Sequence, residues 1–144
     1  MNKLVGKVKD IKVMDVVTYI DVAIKETEIR LIKFKAPKWL SVGDTVYCQI
    51  PEASVCVSKE CPGKISIENR IPSTLIDVRK SESLCELTFE SEIGVVVSLI
   101  TTDSYENLAL EKDCEATILL RGVDINLESL VPPVEILSRI KDAN

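Results

Sequence analysis

The second half of this chain restates the first at a spacing of about 70 residues. Leu40-Ser41-Val42-Gly43-Asp44-Thr45-Val46 matches Leu110-Glu111-Lys112-Asp113-Cys114-Glu115-Ala116. Ile50 and Val55 match Leu120 and Ile125, and Asn2-Lys3-Leu4 matches Asn69-Arg70-Ile71. A repeat of this size means two similar units in tandem. A unit of about 65 residues buries too little surface to be comfortable alone. The units are therefore expected to pack on each other, on another chain, or both.

Each unit reads as strands. Residues 4–13 alternate apolar and polar side chains, the period-2 pattern of a half-buried strand. Residues 16–24 do so again and are rich in β-branched residues. Residues 28–34, 45–50 and 53–57 complete five strands, with turn chemistry at Ser41-Val42-Gly43-Asp44 and a break at Pro51. Five short strands at this spacing suggest a small barrel or sandwich. Residues 58–63 form a loop and the best boundary in the chain. The pattern then restarts at 71–80, 84–89 and 93–100, passes through a short helix at 102–108, and closes with 115–121 and 124–127. The expected organisation is one unit over 1–60, a second over 64–130, and a tail over 131–144. Residues 135–142 of that tail suit a short amphipathic helix with a packing role.

Composition narrows the chemistry. Apolar residues make up 46% and charged residues 28%, so the chain folds and is not disordered. No apolar run reaches the ~20 residues of a membrane helix, and the start of the chain has no signal-peptide core. A net charge of -5 without a basic run argues against a grip on nucleic acid. Histidine is absent, which removes the commonest general base and metal ligand. No nucleophile–base pairing and no phosphate-binding P-loop is present. Five cysteines, none in a C-x-x-C pair, read as buried, reduced thiols of a cytoplasmic protein. Cys56 and Cys61 are close enough in sequence to approach each other.

One stretch points to function. Ile100-Thr101-Thr102-Asp103-Ser104-Tyr105-Glu106 reads as a strand end turning into a helix. Thr101 or Thr102 suits the N-cap, and Asp103 with Glu106 resembles a capping box. The first helical turn presents unpaired N–H groups and partial positive charge. With the Thr101 and Ser104 hydroxyls it would make a small oxyanion site. The alternative is a surface helix whose polar residues only cap it.

Four segments in order carry a resemblance: Ile65-Ser66-Ile67-Glu68-Asn69, Ile100-Thr101-Thr102-Asp103-Ser104, Leu108-Ala109-Leu110, and Leu119-Leu120-Arg121-Gly122-Val123-Asp124-Ile125. Together they resemble the molybdate-binding Mop or TOBE family, whose pattern runs I-S-A-R-N, I-T-x-x-S, L-G-L, L-I-K-A-S-x-V. Residues 65–127 follow it throughout. Residues 2–57 follow it more loosely, as in the tandem, di-domain molbindins. The resemblance implies a mainly β protein of two tandem OB-like five-stranded barrels, each with one short helix. It also implies a homo-oligomer with oxyanion sites at subunit interfaces and no protein–metal ligands. Family ligand positions fall on Ser66, Thr101, Ser104, Arg121 and Gly122, with Glu68, Asn69 and Thr102 beside them. Asn69 is read as holding the strand start by hydrogen bonds.

The physics agrees with this set. A tetrahedral dianion wants hydroxyls, main-chain N–H groups and one or two cations, and needs no base. Two departures stand out. Arg121 replaces a lysine, keeping the charge but changing donor geometry. Glu68 replaces an arginine and would oppose an anion unless it points away or pairs with Arg70 or Arg121. The first repeat has no Thr-x-x-Ser and has Pro51 at the lysine position, so the better site is expected in the second. Lys33 and Lys35 are expected to be solvated. The function expected is cytoplasmic binding of molybdate or tungstate for storage, buffering or sensing, without catalysis. The alternative is a regulatory or accessory module acting through protein contacts with its oxyanion site degraded.

Overall fold

The computed structural model describes residues 1–60 and 62–143. In chain order the strands are β1 (Asn2–Met14), β2 (Val17–Ile24), β3 (Thr27–Lys33), β4 (Thr45–Ile50) and β5 (Cys56–Ser58). After the loop come β6 (Asn69–Lys80), β7 (Leu84–Ser91), β8 (Gly94–Thr101), helix α1 (Thr102–Asn107), β9 (Glu115–Leu120), β10 (Asn126–Ser129) and helix α2 (Pro133–Ala143). The alternation seen in sequence is the alternation of burial. β2 buries every second side chain, and the first half of β1 does the same. Among the described residues, ten strands in two five-stranded sheets make the fold mainly β, as expected.

The sheets do not follow the order of the chain. One runs β10-β4-β1-β2-β3 and the other β5-β9-β6-β7-β8, all pairs antiparallel. Each sheet thus takes its fifth strand from the other half of the chain. β5 pairs Cys56 with Leu119 and Val57 with Ile118. β10 pairs Leu127 with Cys48 and Asn126 with Gln49. Both exchanged strands follow a 3-10 turn, Glu52–Ser54 and Gly122–Asp124. These turns occupy part of the spans read as strand, so the last strand of each repeat begins later than expected. At the end of each turn a fully buried residue, Val55 or Ile125, enters the core. That core is continuous and draws on both halves.

The repeat is visible in fine detail. A register shift falls between Val8 and Asp10 in β1 and between Leu75 and Asp77 in β6. The residues preceding β4 and β9 form the same turn. Gly43 donates to Val8 O at 2.8 Å and Asp113 donates to Leu75 O at 2.7 Å. Both need the left-handed backbone region, with φ of 95° and 72°. Glycine adopts this freely, and aspartate is among the few other residues that tolerate it.

The halves differ in one element. The expectation of a short helix in each holds only for the second, where α1 forms. The connection from Phe34 to Leu40 is three residues shorter than its counterpart from Thr101 to Leu110, and it carries Pro37. It makes turns without an α-helix, because proline cannot donate the N–H that a helix interior requires. Cys48 and Cys85 are buried as expected, and burial pushes the Cys48 thiol up to about 12. Cys114 is half-buried. Cys56, expected to be buried, is exposed at the start of β5. Its suggested approach to Cys61 lies outside the described residues.

Helix α2 packs back on the first half through Arg139. This side chain donates to Asp44 Oδ2 at 2.7 Å, Asp44 Oδ1 at 3.1 Å, Trp39 O at 2.6 Å and Glu135 Oε1 at 2.8 Å. Asp44 is 9% exposed. Burial raises its pKa, but Arg139 and the Ser41 N–H outweigh that and hold it below the usual carboxylate range. A depressed folded pKa gives stability that is present above the unfolded value and is lost as pH falls through the folded one. Asp44→Asn should therefore loosen α2 at neutral pH, at about 1–3 kcal/mol for the lost charged hydrogen bonds. The difference from the parent should close as pH drops below about 4. Amide exchange within α2, followed against pH in both proteins, checks this.

Candidate functional site

The head of α1 is built as the sequence suggested. Thr101 is the N-cap, extended at φ −71° and ψ 150°, and its side chain accepts the Ser104 N–H at 3.1 Å. Its hydroxyl donates to Ser104 Oγ at 2.9 Å. Both residues are exposed. Two hydroxyls in series at the positive end of a helix, with the second still carrying a hydrogen to donate, suit an anion. Thr102 plays another part. It is 6% exposed, and its hydroxyl donates to Ser81 O at 2.9 Å. Its N–H donates to Ser83 O at 3.0 Å, so Thr102 ties α1 to the β6–β7 turn. The expected Asp103–Glu106 capping box does not form, since Thr101 is the cap. Glu106 instead accepts Lys80 Nζ at 2.8 Å.

Ser104 lines a cleft of about 410 Å³ with Val55, Cys56, Val57, Ile100 and Leu108 among its walls. β5 of the first half therefore forms one wall of a cleft whose other wall is β8 and α1. Arg121 is not among the lining residues. Its guanidinium lies flat on its own turn, with Nε to Asp124 Oδ2 at 2.8 Å and Nη2 to Asp124 Oδ1 at 3.1 Å. That hydrogen-bonded pair raises the Arg121 pKa, and the side chain stays exposed. An ion pair in such a position is worth little, so Arg121 can be recruited by a stronger anion.

Gly122, next in the chain, is buried, and its N–H donates to Glu68 Oε1 at 2.7 Å. A Cβ here would lie 2.7 Å from Arg30 O and 3.0 Å from Ile32 Cγ1, so only glycine fits without a shift. Among the described residues Glu68 forms an ion pair with neither Arg70 nor Arg121, one of the two arrangements open to it, and accepts the Gly122 N–H instead. Arg70 is occupied elsewhere. Its guanidinium donates to the carbonyls of Gly63, Ile65 at 2.8 Å and Ile67 at 3.3 Å, and so shapes the segment carrying Ser66. Ser66 itself is exposed on that segment.

Asn69 is 5% exposed and does more than hold the start of β6. Its Nδ2 donates to Leu120 O at 3.0 Å within its own sheet. It also donates to Arg30 O at 2.9 Å, and its Oδ1 accepts the Arg30 N–H at 2.7 Å. Asn2 repeats the pattern, joining Ile50 O at 3.1 Å to the N–H and C=O of Val97, each at 2.8 Å. The two asparagines thus stitch each sheet to the edge strand of the other.

One cation escaped the sequence reading. Arg30 pairs with Asp21 at 2.8 and 3.1 Å and lies over the Tyr19 ring at 4.7 Å, in a cleft of about 280 Å³ shared with Glu28, Glu68 and Asn69. Its alternation in β3 was the only signal. Lys33, expected to be solvated, is half-buried and donates to Asn126 Oδ1 at 3.1 Å. Desolvation lowers its pKa. One chain therefore brings Thr101 to Ser104, Gly122 to Glu68, and Asn69 into the same cleft as Glu68. Ser104 lines the cleft between β5 and α1, and Arg121, outside that lining, is paired with Asp124.

No protein-family model matches the sequence, and no curated protein matches it. Among solved structures the chain is similar to ModG, a cytoplasmic molybdate-binding protein solved with molybdate bound. The TM-score is 0.82 over 89% of this chain and 95% of that one, at 17% sequence identity. The fold is that of ModG. The ModG likeness spans both sheets, and it agrees with the Mop/TOBE resemblance carried by the four sequence segments. No helix among the described residues is long and apolar enough to cross a membrane.

Proposed function

We propose that this chain binds a tetrahedral oxyanion of the molybdate or tungstate type in the cytoplasm, for storage, buffering or sensing, and performs no covalent chemistry. The reading rests on the Thr101–Ser104 hydroxyl pair at the head of α1, placed on a fold shared with a molybdate-binding protein. The ligand shell is Ser66, Thr101, Ser104, Arg121 and Gly122, bordered by Glu68 and Asn69, with Thr102 positioning the helix. We read the sheets as two OB-like barrels, each built mainly by one repeat, 1–60 or 64–130, and completed by one strand of the other, with a tail over 131–144.

Arg121 is paired with Asp124 and lies outside the lining of the Ser104 cleft, and the Mop/TOBE resemblance implies sites between subunits, so we take the site to be completed by a second copy in a homo-oligomer. An apolar surface supports this. Phe34 is 82% exposed and Val123 54%, around a cleft of about 240 Å³ that also takes in Val17 and Ile32. Exposed apolar groups gathered in this way mark contact surfaces.

One observation favours the second reading, an accessory module with a degraded site. The Glu68 carboxylate already holds the Gly122 N–H. Calorimetric titration with molybdate, tungstate and sulfate separates the two. A binding protein takes up the larger oxyanions, and Thr101→Ala weakens them at least about tenfold, the loss expected for one hydrogen bond to a charged group. If no oxyanion binds at millimolar concentration, the accessory reading stands instead.

A further inference from the structure

The Glu68–Gly122 contact has the form of an anion-binding interaction made by the protein with itself. The donor is a main-chain N–H with no freedom to turn away, because its residue is wedged under Arg30 O and Ile32. The acceptor is a carboxylate oxygen at 2.7 Å, a length usual for charge-assisted bonds. Glu68 arrives from 54 positions away in sequence, on the segment that also carries Ser66.

What holds Glu68 in place is slight. Arg121 is hydrogen-bonded to Asp124 and Arg30 to Asp21, so Arg121 attracts Glu68 only through space. No ion pair to Glu68 occurs among the described residues. Its cleft also contains two like charges, Asp21 and Glu28, and one cation, Arg30, which Asp21 already holds. The residue is exposed, and water is ready to solvate the carboxylate if it swings out. A carboxylate held by one amide and by no ion pair is displaced by a competing anion of higher charge.

We infer that Glu68 is a built-in competitor: its carboxylate occupies the Gly122 amide in the empty protein and must leave before an oxyanion can use that donor. This rests on the oxyanion-binding reading above, and makes Glu68 the residue that sets the concentration at which the site fills. An incoming dianion must displace one negative charge and then tolerate it nearby. Removing that charge should tighten binding by about tenfold or more, the scale of one charge-assisted hydrogen bond together with one like-charge repulsion.

The test titrates molybdate into the parent chain, Glu68→Gln and Glu68→Ala by calorimetry, with thermal melts to show that all three fold. The Gly122 amide signal is followed by NMR in the same titrations. The expected result is about tenfold tighter binding in both variants, and a Gly122 signal that shifts on molybdate addition and on substitution. Tighter binding that appears only in the variants supports the inference equally. If the parent binds and the variants bind no more tightly, or the Gly122 signal stays still while molybdate binds, Glu68 is no competitor and the binding reading survives. If none of the three binds, both readings fall together.

Discussion

Residues 1–60 and 62–144, produced as separate polypeptides, will each lack a cooperative thermal transition, and mixing them will restore one. The reason lies in the exchanged strands. The first fragment keeps β1 to β4 but loses β10, and with it the fully buried Ile125. The second keeps β6 to β9 but loses β5 and the fully buried Val55. Burial of one such side chain is worth about 1.5–3 kcal/mol, and a core of this size rarely supplies more than about 3–5 kcal/mol. Each fragment also bares a strand edge and leaves its own interface asparagine without the strand it reaches across to. The losses match the whole stability of a lone unit. Circular dichroism melts of each fragment and of the mixture decide the matter, and a sharp melt from either fragment alone would show that the exchange is dispensable.

Asn69→Ala should be the most damaging single polar substitution, costing about 3 kcal/mol. It removes three hydrogen bonds at once and leaves Arg30 N–H, Arg30 O and Leu120 O to find other partners. An unsatisfied group of this kind costs about 1–3 kcal/mol, and water reaching the half-buried edge of β3 relieves part of the sum. For a chain this long the melting temperature should fall by about 10 °C. Asn2→Ala should behave alike, since Asn2 makes the matching set to Ile50 and Val97. A loss below about 1 kcal/mol in denaturant titrations would mean that the halves adhere through their apolar core alone.

The strands were legible because burial alternates along them, and a period of two survives whatever sheet a strand joins. That same indifference hides the exchange. Cys56-Val57-Ser58 carries the same pattern whether it pairs with β4 or with β9, and three residues hold no address. The head of α1 was legible because a cap is local: Thr101 and Ser104 are three apart and meet each other. The Glu68–Gly122 contact was not, since only tertiary packing brings a carboxylate to an amide so far along the chain. Arg121 and Asp124 are also three apart, yet reading Arg121 as a ligand passed over that neighbouring carboxylate. Asn2 and Asn69 offered a signal that was half used. Their recurrence marked the repeat, but nothing in either flank says that a buried amide reaches across to a foreign strand.

The trade of end strands resembles the embrace of two separate molecules, except that both parties here belong to one polypeptide. An embrace between separate molecules dissolves on dilution, whereas a tethered one keeps its partner at a fixed local concentration set by the connecting loop. The fold of each half therefore does not depend on how much protein is present. Any response to concentration is left to the outer surfaces.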